Sequence, residues 1–590
     1  MASVQELAQQ WLALDRDETT CQEIQDLVDA HDETELELRL RSRIAFGTAG
    51  LRASMKAGFA FMNSLTVAQA SYGLAQYVLD RRADLASIPS VVVGYDARHN
   101  SERFARLAAA TFLATGLKVL WYGRLVHTPL VPFAVQRYGA AAGVMVTASH
   151  NPKTDNGYKV YLSNGCQIIP PHDVGIADAI CTLAKEPVPT WDYDAVDRSA
   201  NVTVIAETAI SRYLVTVEEL MSPLVPLVKP LNFAYTPLHG VGLALMREVA
   251  QFLRRSNSSM VVVESQASPD PDFPTLPFPN PEEKGTLDEA IETAKGNDCA
   301  LIIANDPDAD RFAVAQRLNN GHWHQFTGDE VGVLFAAYIC ETYPHDKSRM
   351  AMLASTVSSS MLASMASAEG FHFQETLTGF KWLGNVAQDL DTAGYDVQFA
   401  YEEAIGYMFP RVVWDKDGIA AAAVFLAACI HWQHHQNTTP MQKLQRLYAI
   451  YGHHRNANTY LISPSRATTD RAFASIRTHY HAAATATDPT PHIGTRSIRR
   501  WRDLTTGFDS GTPDTQPVLP VDPATHMITC HLDAAVSVTA RASGTEPKIK
   551  LYIEARAESA LRAKTVAEEV RADVLREWFS TDLGLRVAGS

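Results

Sequence analysis

Two short stretches of this 590-residue chain carry residue types that do chemistry in combination. Thr147-Ala148-Ser149-His150-Asn151-Pro152 closes the apolar run Ala141 to Val146, so one hydroxyl stands where a buried strand would end. Far downstream, Asp306-Pro307-Asp308-Ala309-Asp310-Arg311 offers three alternating carboxylates with an arginine behind them. A hydroxyl that can be a nucleophile or carry a phosphate, a cation site to neutralise phosphate and an arginine to grip it are the parts of a phosphoryl-transfer enzyme.

Each stretch has rival readings. Ser-His-Asn-Pro is also a plain turn sequence. A serine hydrolase is disfavoured, because adjacent turn residues do not aim His150 at the Ser149 hydroxyl and the G-x-S-x-G elbow is missing. In an extended loop, alternate side chains share a face, so Asp306, Asp308 and Asp310 are expected to converge on one hard cation. A calcium EF-hand fails on spacing: the positions needing Gly and Glu hold Arg311 and Arg317. Phosphorylation of an aspartate at the strand end stays open as an alternative.

Four further loops could serve an anionic or sugar-like ligand. Arg541-Ala542-Ser543-Gly544-Thr545-Glu546-Pro547 lies between two strand-like runs and combines Arg, Ser and Thr with open backbone N–H groups, a phosphate cradle or a simple hairpin turn. Tyr401-Glu402-Glu403-Ala404-Ile405-Gly406-Tyr407 sets acids beside aromatics, which suits sugar hydroxyls or an ordinary exposed loop. Phe46-Gly47-Thr48-Ala49-Gly50-Leu51-Arg52 and Thr378-Gly379-Phe380-Lys381-Trp382 are glycine-containing loops with a cation. Arg52, Lys159, Arg311 and Lys381 could together supply a local positive field. His431, His434 and His435 have helical ligand spacing but no neighbouring carboxylate in sequence, and read as a solvated helix end.

The elements that must position these loops alternate. Ser90 to Asp96 reads as a buried strand, Arg103 to Leu113 as a helix and Leu117 to Tyr122 as the next strand. The pattern recurs at Met260 to Glu264, Ala300 to Ala304, Met350 to Ser355 and Val397 to Tyr401. Apolar strands separated by helices predict α/β domains with mostly parallel sheets covered on both faces, whose ligands bind beyond the carboxyl ends of the strands. Six prolines between Pro269 and Pro281 predict an irregular segment, as do the Thr- and Pro-rich stretches Ala482 to Pro491 and Thr505 to Thr525. Val536 to Ala540, Lys548 to Glu554 and a helix from Ala557 to Phe579 predict a smaller α+β domain at the C-terminal end.

Bulk properties narrow the class. With 46% hydrophobic and 20% charged residues the composition is globular, and the length predicts about four domains. A net charge of −15 without a basic run argues against nucleic acid. Seven scattered cysteines without a C-x-x-C pair fit reduced thiols and a cytoplasmic location. Met1 to Leu40 reads as one or two amphipathic helices rather than a leader, and Gly418 to Ile430 as a buried helix rather than a membrane span.

Taken together, Thr-Ala-Ser-His-Asn-Pro, Asp-x-Asp-x-Asp-Arg, Glu-Glu-x-x-Gly and Arg-Ala-Ser-Gly-Thr-Glu-Pro, in that order across nearly the whole chain, resemble the α-D-phosphohexomutase superfamily. The loops beginning at Phe46, Thr378 and Tyr401 resemble its phosphoglucomutase-2 (phosphopentomutase) branch, which includes glucose-1,6-bisphosphate synthase. The resemblance implies three related α/β domains with mixed, mostly parallel sheets plus a smaller C-terminal α+β domain around a central cleft. Expected limits are 1–205, 206–326, 327–445 and 446–590. It implies Ser149 as phosphate carrier, Asp306, Asp308, Asp310 and the Ser149 phosphate as ligands of Mg2+, and His150, Lys159, Arg52 and Arg311 around the reacting group, with Lys159 a candidate general acid/base. Thr378, Gly379, Lys381, Glu402 and Ala404 would contact the sugar phosphate, and Arg541, Ser543, Gly544 and Thr545 its non-reacting phosphate.

Hexose-specific members carry Gly-Glu-Glu-Ser in the sugar loop, and here Tyr401 and Ala404 replace the Gly and Ser. Loss of a hydroxyl that could bond a sugar OH loosens hexose discrimination. The expected activity is a mutase moving phosphate between C1 and C6 of glucose phosphate, or C1 and C5 of ribose or deoxyribose phosphate, through a sugar bisphosphate that also activates the enzyme. A bisphosphate synthase using an acyl-phosphate donor and a catalytically silent binding protein are the alternatives. Small-molecule sugar phosphates, no nucleic acid, no membrane and a monomer or weak dimer complete the expectation.

Overall fold

The computed structural model describes residues 2–81, 88–222, 224–485, 491–533, 535–543, 548–579 and 583–588. The chain divides into two compact units, Met1–Ala354 with Gly379–Pro440, and Ser355–Thr378 with Met441–Ser590.

The first unit opens with three helices, Val4–Leu14, Glu18–Asp29 and Glu33–Leu40, where one or two were expected. The extra break has a local cause. Ser3, Asp17 and Asp32 each accept a backbone N–H of the turn that follows, and a side-chain N-cap starts a new helix wherever it occurs. Trp11, Ile24 and Leu36 pack with Phe59 and Leu65 into one apolar cluster.

A six-stranded sheet follows, made of β1 (Leu51–Ser54), β2 (Ser90–Tyr95), β3 (Lys118–Leu125), β4 (Ala142–Val146), β5 (Asp155–Leu162) and β6 (Val202–Val204), in the order β1-β5-β4-β2-β3-β6. β2, β3, β4 and β6 run parallel, whereas β5 pairs antiparallel with both β4 and β1. The parallel strands are apolar on both faces: helices Ser64–Arg81 and Ser101–Ala114 cover one and helix Leu130–Tyr138 covers the other. β2 and β4 are neighbours, so the polar loops at their carboxyl ends, Asp96 to Asn100 and Thr147 to Pro152, emerge side by side.

The second sheet contains β7 (Asn232–Thr236), β8 (Ser259–Val262), β9 (Leu301–Asn305), β10 (Phe312–Arg317) and β11 (Trp323–Gln325), ordered β11-β10-β9-β7-β8. β9 and β10 form an antiparallel hairpin with the acidic loop at its tip. The six-proline stretch is irregular, as expected. In the third layer β12 (Met350–Ser355) pairs parallel with the sugar-loop strand Asp396–Glu402, which returns antiparallel through Gly406–Met408. Helix Gly418–Gln436 is buried almost throughout, and among the described residues no helix is long and apolar enough to cross a membrane.

The second unit is an antiparallel sheet. Its central strands are Arg496–Asp503, Met527–Leu532, Val536–Ala542 and Lys548–Ala557, with helices Arg466–Thr485 and Ala560–Trp578 contributing Phe473, Val570 and Trp578 to its core. Residues 355–378 are fastened to it by two acids, the partly exposed Glu375 and the buried Glu554. Arg502 grips Glu375 at 2.9 and 3.0 Å, and Glu554 accepts the Ser360 N–H and hydroxyl at 2.9 and 2.5 Å. Within Thr505 to Thr525, read as irregular, Phe508–Asp509 forms a short strand and Thr505 Oγ1 donates to the Thr525 carbonyl at 3.2 Å. Residues 486–490 of the other Thr-rich stretch lie outside the described residues.

Candidate active site

Ser149 is 3% exposed and sits just past the end of β4. Its backbone is left-handed, with φ 54°, a conformation that costs a non-glycine residue about 1–2 kcal/mol. Thr147 helps enforce it: its Oγ1 accepts the Ser149 N–H at 2.9 Å and donates to Asp96 Oδ2 at 2.6 Å. The turn delivers the Ser149 hydroxyl to the acidic loop, where Oγ donates to Asp306 Oδ2 at 2.6 Å.

Asp306, Asp308 and Asp310 converge as expected, with ligand oxygens all within 4.8 Å of one another. The route differs from the extended loop anticipated. The chain folds into a turn, with the Ala309 N–H bonded to the Asp306 carbonyl at 2.8 Å and Ala309 left-handed at φ 51°. An extended strand would have spread the three carboxylates over a longer face. Gly418 holds the turn, donating its N–H to the Ala309 carbonyl at 3.1 Å. A Cβ at Gly418 would lie 2.2 Å from the Arg311 carbonyl oxygen, so only glycine permits this approach.

The three acids are fully buried, yet their charges are handled differently. Burial, then the repulsion of Asp308 and Asp310, pushes Asp306 well above the usual carboxylate range. Burial would raise Asp308 too, but Lys159, Thr128 and Lys416 overcome it and hold it low. Asp310 is likewise held low against burial and Asp308, by Lys159, Lys416 and Arg311. Lys159 Nζ bridges Asp308 Oδ2 and Asp310 Oδ2 at 2.7 Å each. Its reach depends on register: Lys159 lies on β5 opposite Met145 of β4. Oδ1 of Asp308 and of Asp310 are buried without a hydrogen-bond partner. Buried carboxylate oxygens left unpaired are costly, and a hard divalent cation satisfies them. The donor set therefore fits a magnesium-like ion.

Around this centre, and contrary to the expectation that adjacent turn residues would not aim His150 at the serine, the left-handed turn at Ser149 brings His150 Nδ1 to 3.3 Å from Ser149 Oγ, with its ring edge-on to Phe278. Burial, then Arg311 and Arg52, lowers the His150 imidazole well below its ordinary range, so it is neutral. The Arg311 backbone N–H donates to Asp306 Oδ1 at 3.0 Å, and its Nε is buried without a partner. Arg52, on β1, is exposed and donates to Asn151 Oδ1 at 3.4 Å. Lys381 donates to Thr48 Oγ1, joining two of the glycine loops, and Glu402 accepts the Gly379 N–H at 2.5 Å. Ala404 lies in the turn after the Asp396–Glu402 strand and is partly buried.

Thr378, Arg541 and Ser543 belong to the second unit, where Arg541 pairs in register with Met527 and Lys550, and the Ser543 N–H donates to the Lys548 carbonyl at 2.9 Å. Gly544 and Thr545 lie outside the described residues. His431 has the carboxylate neighbour its sequence lacked: Glu341, from the helix Gly328–Thr342, is 3.7 Å away.

Several residues at the centre escaped sequence reasoning. Lys416 Nζ is 3.1 Å from Asp310 Oδ2, and its only sequence signal is its place just before a long apolar helix. Thr128 donates its hydroxyl to Asp308 Oδ2 at 2.5 Å and its N–H to the Asp308 carbonyl at 3.0 Å, and nothing in the sequence marks it.

A buried hydroxyl beside three convergent carboxylates, a neutral imidazole and several cations defines the chemistry of a phosphotransferase. Comparison with known proteins points to the same class. Family models for phosphoglucomutase/phosphomannomutase match as α/β/α domain I over residues 43–186, domain II over 212–319, domain III over 327–451 and the C-terminal domain over 531–572. The chain is 44% identical to phosphoribomutase of Saccharomyces cerevisiae, over 97% of this chain and 96% of that protein. It is 39% identical to human glucose 1,6-bisphosphate synthase, over 92% and 89%. Among solved structures, the open form of the Paramecium phosphoglucomutase parafusin shares the fold, with a TM-score of 0.65 at 17% identity, over 91% of this chain and 97% of that one. The chain belongs to the phosphoglucomutase/phosphomannomutase family, within the α-D-phosphohexomutase superfamily. It is a phosphosugar mutase, an enzyme of the intramolecular phosphotransferase class.

Proposed function

We propose that this enzyme interconverts the 1- and 5-phosphates of ribose or deoxyribose, and with looser preference the 1- and 6-phosphates of glucose, with Ser149 as the phosphate carrier. The observation that carries the reading is the 2.6 Å contact between Ser149 Oγ and Asp306 Oδ2 at the edge of a buried acidic triplet. Ala404, in place of a serine hydroxyl in the sugar loop, supports pentose as well as hexose. So does the 44% identity to a phosphoribomutase.

Asp306, Asp308 and Asp310 would hold Mg2+ together with an oxygen of the Ser149 phosphate. The ion would supply charge neutralisation for the transferring group. Arg311 and, more weakly, the exposed Arg52 add positive charge beside it, and burial strengthens the contribution of Arg311. In the first half-reaction a sugar hydroxyl attacks the phosphorus and the P–Oγ bond breaks, and the proton given up by the sugar oxygen is the one that Ser149 Oγ takes. In the return half, Ser149 Oγ attacks the other phosphate of the sugar bisphosphate, the sugar P–O bond breaks, and the serine proton passes to the sugar oxygen that leaves, with His150 Nδ1 3.3 Å from Oγ. Lys159 is the proton carrier for the sugar oxygen. The roles proposed for the remaining residues are those the family resemblance implies: Lys381, Gly379, Thr378, Glu402 and Ala404 for the sugar, and Arg541, Ser543, Gly544 and Thr545 for the non-reacting phosphate. The domain limits 1–205, 206–326, 327–445 and 446–590 belong to the same proposal.

The test is peptide mass mapping of purified enzyme combined with mutase assays on ribose 1-phosphate and glucose 1-phosphate. Phosphate on Ser149, and no turnover by Ser149→Ala, is the expected result. Full activity of that variant would end the assignment. The identity to a glucose 1,6-bisphosphate synthase supports a second reading, in which the bisphosphate is made from an acyl-phosphate donor. Mutase turnover that needs no such donor separates the two.

A further inference from the structure

Arg98 follows β2 in the segment Asp96-Ala97-Arg98, and the mechanism above assigns it nothing. It is 4% exposed and all its good hydrogen bonds go to backbone carbonyls of one loop. Nη2 donates to the Ser149 carbonyl at 2.5 Å and to the Asn151 carbonyl at 2.6 Å. Nη1 donates to the Pro152 carbonyl at 2.9 Å and to the Asp155 carbonyl at 3.3 Å. The guanidinium is a planar fork with fixed donor directions, so four carbonyls gathered on it are fixed relative to one another.

The fork is flanked by a charge and a ring, although its Nε makes no hydrogen bond. Asp96 Oδ2 stands 3.6 Å from its Nε, and the Phe273 ring, from the proline-rich segment, covers the guanidinium with its centroid 5.1 Å away. Asp96 also receives the Arg98 N–H at 3.1 Å and the Ser101 hydroxyl at 2.6 Å, besides the Thr147 hydroxyl. The two sides of Ser149 are therefore fixed from one source. Thr147, anchored on Asp96, holds the N–H, and Arg98, anchored on Asp96, holds the carbonyl. Between them lies the strained φ of 54° that aims Oγ at the acidic triplet.

We propose that Arg98 is a positioning residue for phosphoryl transfer: it sets the left-handed turn at Ser149 and so the place of Oγ. The inference rests on the reading of Ser149 as the phosphate carrier. Without the fork, the carbonyl side of the turn is left to the single Asn151 N–H to Ala148 carbonyl bond at 3.1 Å, and relaxation of residue 149 to a commoner backbone region would carry Oγ away from Asp306. Misplacement of a reacting atom by about 1 Å costs on the order of a hundredfold in rate. Arg98 touches no reacting atom, so substrate binding should be spared.

The experiment compares wild type, Arg98→Lys and Arg98→Met in the full-length enzyme. It reads phosphate transferred to Ser149 from glucose 1,6-bisphosphate by peptide mass, kcat and KM in the mutase assay, and folded fraction by thermal melting. Arg98→Met should lose kcat on the order of a hundredfold with KM within about threefold, and should phosphorylate Ser149 correspondingly slowly. Arg98→Lys, whose ammonium can reach only part of the carbonyl set, should recover some of that loss. A kcat within about threefold of wild type per folded molecule in either variant overturns the inference. Should Arg98→Met not fold, Arg98→Lys alone decides it by the same measure. An active wild type that never carries phosphate on Ser149 would instead sink the underlying reading and this inference with it. A phosphorylated wild type with indifferent Arg98 variants sinks the inference alone.

Discussion

The Lys416 ammonium sits 3.1 Å from Asp310 Oδ2, in a pocket of charge where Lys159 already binds the same oxygen at 2.7 Å. Two lysines on one buried carboxylate oppose the entry of a divalent cation while favouring an incoming phosphate. Lys416→Met should therefore bind Mg2+ more tightly, by at least about tenfold even with water-like screening, and turn over more slowly. Isothermal titration with MgCl2 alongside steady-state assays tests the pair of signs. Weaker Mg2+ binding in the variant would show that Lys416 supports the acid cluster in some other way.

The contact between Gly418 and the acidic turn makes a small substitution costly. Gly418→Ala would force a Cβ into the Arg311 carbonyl and the Asn305 amide, 2.2 and 2.5 Å away. Overpacking of this kind costs about 1–3 kcal/mol. The strain falls on the loop that carries Asp306 to Asp310, so the thermal stabilisation produced by Mg2+ should shrink together with the melting temperature. An unchanged Mg2+-induced shift would mean that the turn tolerates the displacement.

Asp417 adds a pH dependence with a definite sign. Burial pushes its carboxyl up to about 7, although the Ala420 N–H, Tyr213 and the Ile419 N–H partly oppose the shift. Tyr213 donates to it at 2.8 Å, and His127, held neutral by burial, faces it at 3.8 Å. The unfolded chain ionises near 4, so between about pH 4 and 7 it releases a proton the folded chain keeps. Stability contributed by this group is thus lost as pH rises through that window. Relative to Asp417→Asn, wild type should lose roughly 2–4 kcal/mol from pH 4 to 7, as read by denaturant titrations. A flat difference would place the group's ionisation elsewhere.

Arg541→Ala probes the proposed grip on the non-reacting phosphate. A charge-assisted hydrogen bond contributes about 1.5–3 kcal/mol, so KM should rise roughly tenfold to a hundredfold while kcat at saturation persists. Collapse of kcat with KM unchanged would contradict a holding role.

How far the site was legible depended on what kind of group does each job. Ser149 and the Asp306 to Asp310 triplet stood out because side-chain type and spacing are written in the sequence. Lys159 was visible as a charge, but its bridge to Asp308 and Asp310 needed the β4–β5 register. Arg98 works on backbone carbonyls, which no residue type announces. Thr128 reaches Asp308 from 180 positions away, a contact only the tertiary fold creates. The strands at Ser90, Leu301 and Met350 were readable as apolar runs. The third N-terminal helix was not, because Asp32 caps a segment whose apolar spacing continues across the break.

The backbone angle at residue 149 also separates the two aliphatic alcohols of the genetic code. Threonine differs from serine by one methyl on Cβ, and β-branching makes a left-handed backbone a genuine outlier. Exchange of Ser149 for threonine keeps an esterifiable oxygen yet asks the chain to hold it where a branched residue does not settle. The fold has thereby tied its chemistry to the smaller alcohol, and a threonine at this position would be a poor substitute even though a kinase-style view of the two residues treats them as equals.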